Sequence, residues 1–96
     1  MVHQQPPTLL PQDATLSVNG VTYGVREMRQ GNAYSRTERY HLIVTRLGDG
    51  QVVARHQLIV KGNDFSVTGF PTVKSMPAAY DLVLERAARQ AEQVAA

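Results

Sequence analysis

The stretch Arg39–Lys61, RYHLIVTRLGDGQVVARHQLIVK, constrains what this chain can fold into more than any other. Two apolar-rich runs flank Gly48-Asp49-Gly50, the composition of a β-hairpin turn. Loop length decides which side chains share a face, because a one-residue slip moves all of them across the sheet. A two-residue turn at Asp49-Gly50 sets Ile43 against His56 and Leu47 against Val52, but also Val44 against Arg55 and Leu42 against Gln57. Neither face is clean in that register. A three-residue loop with Gly50 in the left-handed region sets Val44/Ala54, Leu42/His56 and Tyr40/Leu58 on one face. The pairs Thr45/Val53, Ile43/Arg55 and His41/Gln57 then lie on the other. An apolar face backed by a mixed one is what an antiparallel sheet covered on one side requires, so the three-residue loop is the better reading.

The neighbouring segments extend this sheet. Asn19-Gly20 is the preferred pair for a type I′ turn. Pairing across it places Val18/Val21, Leu16/Tyr23 and Ala14/Val25 on one face, with Ser17/Thr22 and Thr15/Gly24 on the other. The alternation is lost over Glu27–Thr37, which reads as an arginine-rich irregular connection with a turn at Gly31-Asn32. After the central hairpin, Lys61-Gly62-Asn63-Asp64 reads as a four-residue loop setting Val60 against Phe65 and Leu58 against Val67. A short edge strand over Phe65–Gly69 follows, closed by Phe70-Pro71.

The last quarter changes period. Tyr80, Val83, Leu84, Ala87, Ala91 and Val94 form one helical stripe, with Pro77 in the first turn and Ser75 or Met76 as cap. The expected fold class is therefore α+β: an antiparallel meander of four to five strands with one C-terminal helix packed on one face. Residues 13–96 make a single domain. Residues 1–12, with three prolines and no periodicity, make a disordered tail.

Composition narrows the function classes. The chain has 96 residues, no cysteine and 43% hydrophobic residues, enough for one small core and nothing for thiolate chemistry. No apolar run approaches a membrane span, so no membrane partner and a cytoplasmic location are expected. No phosphate-binding glycine loop, nucleophile elbow or paired metal-ligand motif is present, so no enzyme activity, cofactor or metal is expected. The chosen register puts His41 and His56 on opposite faces, where they cannot share a metal. Asp81 and Glu85, one turn apart, are explained by an exposed helix face.

The mixed face is where function is expected. It displays His41, Ile43, Thr45, Val53, Arg55, Gln57 and Ile59, too apolar to be comfortably solvated yet rich in groups that read base edges. The net charge is +2, and between residues 26 and 46 all five bases are arginines: Arg26, Arg29, Arg36, Arg39 and Arg46. Two readings stand together. One is a small non-enzymatic binding protein acting through the uncovered sheet face, as a homodimer or as an adaptor for another protein. The alternative is a DNA-binding module using that face and the arginine-rich 26–46 segment. The candidate binding residues are Arg26, Arg46, Ile43, Val53, Arg55, Gln57 and Ile59.

Three short pieces carry a resemblance: Tyr23-Gly24-Val25-Arg26, Gly69-Phe70-Pro71-Thr72 and Ala78-Ala79-Tyr80-Asp81. They resemble the sheet-plus-helix DNA-binding domains of plant ethylene-response factors and the arm-binding domains of phage integrases. Those domains are three antiparallel strands and a helix, and they dock the sheet in the DNA major groove. The resemblance implies Arg26, Arg46, Arg55 and Gln57 as DNA contacts. This chain departs from that pattern in its additional strand, its lack of tryptophan and its Pro77, which falls where those helices are already under way.

Overall fold

A computed structural model describes residues 11–30 and 37–95. Five strands, β1 (Ala14–Val18), β2 (Val21–Gln30), β3 (Glu38–Arg46), β4 (Gln51–Lys61) and β5 (Asp64–Val67), precede one helix, α1 (Met76–Ala95). The strands form one sheet in the order β1-β2-β3-β4-β5, every neighbouring pair antiparallel. This is the α+β meander expected from the period switch.

The first hairpin follows the sequence pattern pair for pair, from Val18↔Val21 to Ala14↔Val25. Asn19 and Gly20 take φ values of 53° and 79°, the two left-handed residues a type I′ turn demands. Ahead of β1, the Asp13 N–H donates to the Val25 carbonyl (2.8 Å), and Asp13 Oδ2 accepts from the Glu27 N–H (2.7 Å). Of the expected tail, residues 1–10 lie outside the described residues. Gln12 is described, and its side chain lies where a Cβ on Gly24 would be, 2.6 Å from its Cγ.

The central hairpin corrects one detail. Val44↔Ala54, Ile43↔Arg55, Leu42↔His56, His41↔Gln57 and Tyr40↔Leu58 pair as expected, but Thr45 opposes Val52 rather than Val53, and Arg46 opposes Gln51. The connection is a four-residue loop, closed by the Gly50 N–H on the Arg46 carbonyl at 2.9 Å, with Gly50 at φ 71°. A bulge beside Thr45 absorbs the extra residue, and Val53 is left without a ladder partner. Longer loop and bulge cancel, which is why the core register survives.

Two further boundaries move. β2 runs on to Gln30, pairing Glu27 with Leu42, Met28 with His41, Arg29 with Tyr40 and Gln30 with Arg39, so Glu27–Gln30 are strand rather than loop. The apolar alternation disappears there because polar partners replace the core: the Tyr80 hydroxyl donates to Glu27 Oε2 at 2.7 Å, and Arg29 meets Glu38 at 3.7 Å. The turn expected at Gly31-Asn32 lies outside the described residues. Past β4, Lys61 pairs with Asp64, so the turn is the two residues Gly62-Asn63 rather than four. β5 ends at Val67 rather than Gly69, where the Phe70 N–H turns back to the Val67 carbonyl at 3.0 Å.

Helix α1 begins with Ser75 as its cap, Oγ accepting from the Ala78 N–H at 3.3 Å, and Pro77 sits in the first turn. Ala79, Tyr80, Val83, Leu84, Ala87 and Ala88 are buried against Tyr23, Val25, Leu42, Val44, Leu58, Val60 and Val67 of the sheet. Ala91, expected in the stripe, is exposed: a one-carbon side chain does not fill the space between the helix and the first turn. A cleft of about 250 Å³ opens there, lined by Val18, Val21, Tyr23, Ala88 and Ala91. The Val94 side chain lies outside the description. Among the described residues no helix is long and apolar enough to cross a membrane.

Candidate binding face

The helix covers one side of the sheet. The ladder partners fix what the other side, hereafter the outer face, displays. Four rows cross β2, β3 and β4: Gly24–Thr45–Val52, Arg26–Ile43–Arg55, Met28–His41–Gln57 and Gln30–Arg39–Ile59. The first row is partly closed, since Gly24 lies under Gln12 and Thr45 is only 9% exposed. The remaining rows are open. Arg39, His41, Arg55 and Gln57 are exposed, while Arg26, Ile43 and Ile59 are half-buried. Met28 (47% exposed), Val52 (41%) and Val53 (38%) are the large apolar side chains left most open.

Of the residues singled out from sequence, the structure brings Arg26, Ile43, Arg55, Gln57 and Ile59 together on this face. Arg26 and Arg55 flank Ile43, about 9.5 Å apart by two inter-strand spacings. Val53 sits at the edge of the patch as the bulged residue, its ladder place taken by Val52. Arg46 is not brought to this face. It lies in the helix-side rows opposite Tyr23 and is committed to the turn: Nη2 to Asp49 Oδ2 at 2.6 Å, Nε to Asp49 Oδ1 at 3.1 Å, Nη2 to Gln51 Oε1 at 3.0 Å. The hydrogen-bonded Arg46 guanidinium, together with the Gln51 N–H, holds the Asp49 carboxyl down to about 2. Arg29 also lies on the helix side, paired with Glu38.

Met28 and Arg39 belong to the face and were not assigned to it; Arg39 was counted only within the arginine-rich 26–46 segment. Arg39 could have been found by extending the His41–Ile43 alternation two residues earlier. Met28 could not, because nothing local marks Glu27–Gln30 as strand.

Charge is sharply separated. On β2, β3 and β4 the outer rows carry Arg26, Arg39, Arg55 and Lys61 and no carboxylate. The acids sit elsewhere: Glu27 and Glu38 on the helix side, Asp49 in its turn, Asp81, Glu85 and Glu92 on α1, and Asp13 and Asp64 at the two margins. Asp64 is paired with Lys74. Among the described residues no carboxylate forms an ion pair with Arg26, Arg39 or Arg55.

The two sheet histidines lie on opposite faces. His41 is exposed in the outer rows, opposite Gln57, and His56 is on the helix side, opposite Leu42. The His56 ring meets Phe70 edge-on, centroids 5.2 Å apart, and Arg86 covers Phe70 at 3.9 Å. Burial, and secondarily the Arg86 charge, lower the His56 pKa from 6.5, which favours the neutral ring. No ring of Phe or Tyr is displayed in the described outer rows, where the one ring is the His41 imidazole. Compared with known proteins, this chain matches no family model, no curated protein and no solved structure.

Proposed function

We propose that this chain is a non-enzymatic binding module that docks the outer face of its sheet on duplex DNA. The observation that carries the reading is the charge separation: Arg26, Arg39 and Arg55 share a face on which β2, β3 and β4 display no carboxylate. Unpaired arginines in such an arrangement repel one another, and a polyanion relieves that cost while supplying bidentate acceptors. The β3–β4 ribbon has the width for a major groove of about 12 Å. It would present His41 and Gln57 to base edges, and Arg26, Arg39 and Arg55 would reach the phosphates on either side. Duplex is favoured over single strands because the described outer rows display no Phe or Tyr ring on which unpaired bases would stack. The same docking mode is what the likeness to ethylene-response-factor and integrase arm-binding domains implies. A cytoplasmic location accompanies this reading, supported by the absence of cysteine.

Face-to-face self-association is disfavoured by the same charges, since two copies would oppose arginine to arginine. An adaptor role toward an acidic protein surface is the second reading. The exposed Met28, Val52 and Val53 favour it, because open apolar groups at a patch margin suit a protein partner.

A fluorescence titration on random-sequence duplex DNA separates the two. DNA docking predicts affinity that falls with salt at a log–log slope of about −3, one increment per arginine–phosphate contact. Arg55→Ala should weaken binding and reduce that slope by about 1. Salt-insensitive binding, or none at 50 mM salt, would discard the DNA reading in favour of the protein partner.

A further inference from the structure

We propose that two copies of this chain pair edge to edge through β1, with Leu16 of one copy lying opposite Leu16 of the other. The two edges of the sheet differ. At β5, Phe65 exchanges backbone hydrogen bonds with Val73 at 2.8 and 2.9 Å, the Asp64–Lys74 ion pair flanks the strand, and Pro71 follows. These are devices that stop an edge from recruiting another strand. Among the described residues β1 has no such bridge or ion pair, and its neighbouring proline and carboxylate, Pro11 and Asp13, precede the strand. It reads Ala-Thr-Leu-Ser-Val, without charge, proline or bulge within the strand, and among the described residues no strand pairs with its outer side.

Ladder geometry specifies the register. The type I′ turn makes Val18/Val21 a hydrogen-bonded pair, so Leu16/Tyr23 is another, and the N–H and C=O groups of Thr15 and Ser17 point away from β2. An antiparallel copy satisfies both residues only when Thr15 faces Ser17 of the second chain and Ser17 faces its Thr15. Leu16 then falls on the two-fold axis, with Ala14 facing Val18. Each of these pairs keeps its face: Ala14, Leu16 and Val18 remain on the helix side, and Thr15 and Ser17 on the outer side. The three apolar residues are only half-buried in the single chain, so a second copy removes apolar surface from water while opposing no charge to its like.

The two-fold axis stands perpendicular to the sheet. Both helices therefore lie on one side and both arginine faces on the other, joining two five-stranded sheets into one surface. A pairing of five-residue strands falls short of the roughly 1,200 Å² that stable dimers bury, which makes the association reversible. If the DNA reading also holds, a duplex touching both faces strengthens the pair through effective concentration.

Because the chain has no cysteine, single-cysteine variants read the register directly. Leu16→Cys places two thiols at a non-hydrogen-bonded pair with Cα atoms about 4.5 Å apart, within disulfide reach. Under mild oxidation without nucleic acid, Leu16→Cys should form a disulfide dimer at least tenfold faster than Thr15→Cys or Ser17→Cys alone. A mixture of the Thr15→Cys and Ser17→Cys chains, altered only at exposed positions, should give the heterodimer faster than either gives its homodimer. Equal rates for all species, or no dimer from Leu16→Cys or from the mixture, would overturn the pairing. The reaction contains no DNA, so its failure and that of the DNA titration are separate results.

Discussion

Two arginines on adjacent strands show how much a side chain's partner matters. Arg55 stands in an outer row with no carboxylate beside it, whereas Arg46 is held by Asp49 and Gln51. On the proposed docking to DNA, Arg46→Ala should therefore leave affinity within about twofold of the parent at fixed salt, in contrast to Arg55→Ala; the same titration checks it, and equal losses would show that the two faces are not functionally distinct. On the helix side, His56 has a pKa lowered by burial and by Arg86. The unfolded chain thus binds the proton more readily than the folded one. Stability should fall as pH drops below 6.5, the ordinary histidine value, toward the lowered folded value. The His56→Phe variant keeps a ring beside Phe70 and removes this contribution. Urea midpoints of parent and variant should diverge between pH 7 and pH 5; curves that stay parallel would show that His56 does not titrate differently on folding.

At the scale of elements, the central hairpin holds its core register by two compensating irregularities. The loop is one residue longer than the composition suggested, and the bulged Val53 restores the count before Ala54. Deleting Val53 should straighten the ladder while Val44↔Ala54 and Thr45↔Val52 both persist. That deletion should fold, with a melting temperature within roughly 5 °C of the parent, a shift corresponding to about 1 kcal/mol. Deleting Gln57 has no bulge to absorb it and turns half of β4 over, so the chain should not fold cooperatively. Thermal melts by circular dichroism distinguish the two, and comparable losses would refute a bulge that is only a spacer. The same strand logic was legible along most of the sheet. Asn19-Gly20 and the alternation around it specified five pairs, because that turn type admits few residues. Glu27–Gln30 was illegible, because a strand whose partners are a tyrosine hydroxyl and a glutamate has no apolar period to read.

For the whole molecule, stability rests on one layer of contact between α1 and the sheet. Leu42, Leu58 and Leu84 are fully buried in it. Leu58→Ala should cost about 2–5 kcal/mol, from lost transfer energy plus the cavity left behind. In a domain whose total stability is of order 5–15 kcal/mol, that loss should be evident in urea unfolding; a cost under 1 kcal/mol would mean the helix is not seated as described. The helix also defines the outer face by covering the other one.

Much of this was settled by local chemistry. Turn residues, alternation and the late switch to helical period determined the α+β meander, the face of nearly every core residue and the separation of His41 from His56. Those features depend on neighbours a few residues apart, whose pattern survives in any linear reading. Tertiary structure alone decided which arginines gather on the open face. Arg26, Arg39 and Arg55 come from three strands and meet only through cross-strand pairing, whereas Arg46 is withdrawn by a carboxylate three residues away, a contact of the local kind. Charge separation between two faces is a property of packing, because it depends on which side the helix covers and where each carboxylate finds its partner.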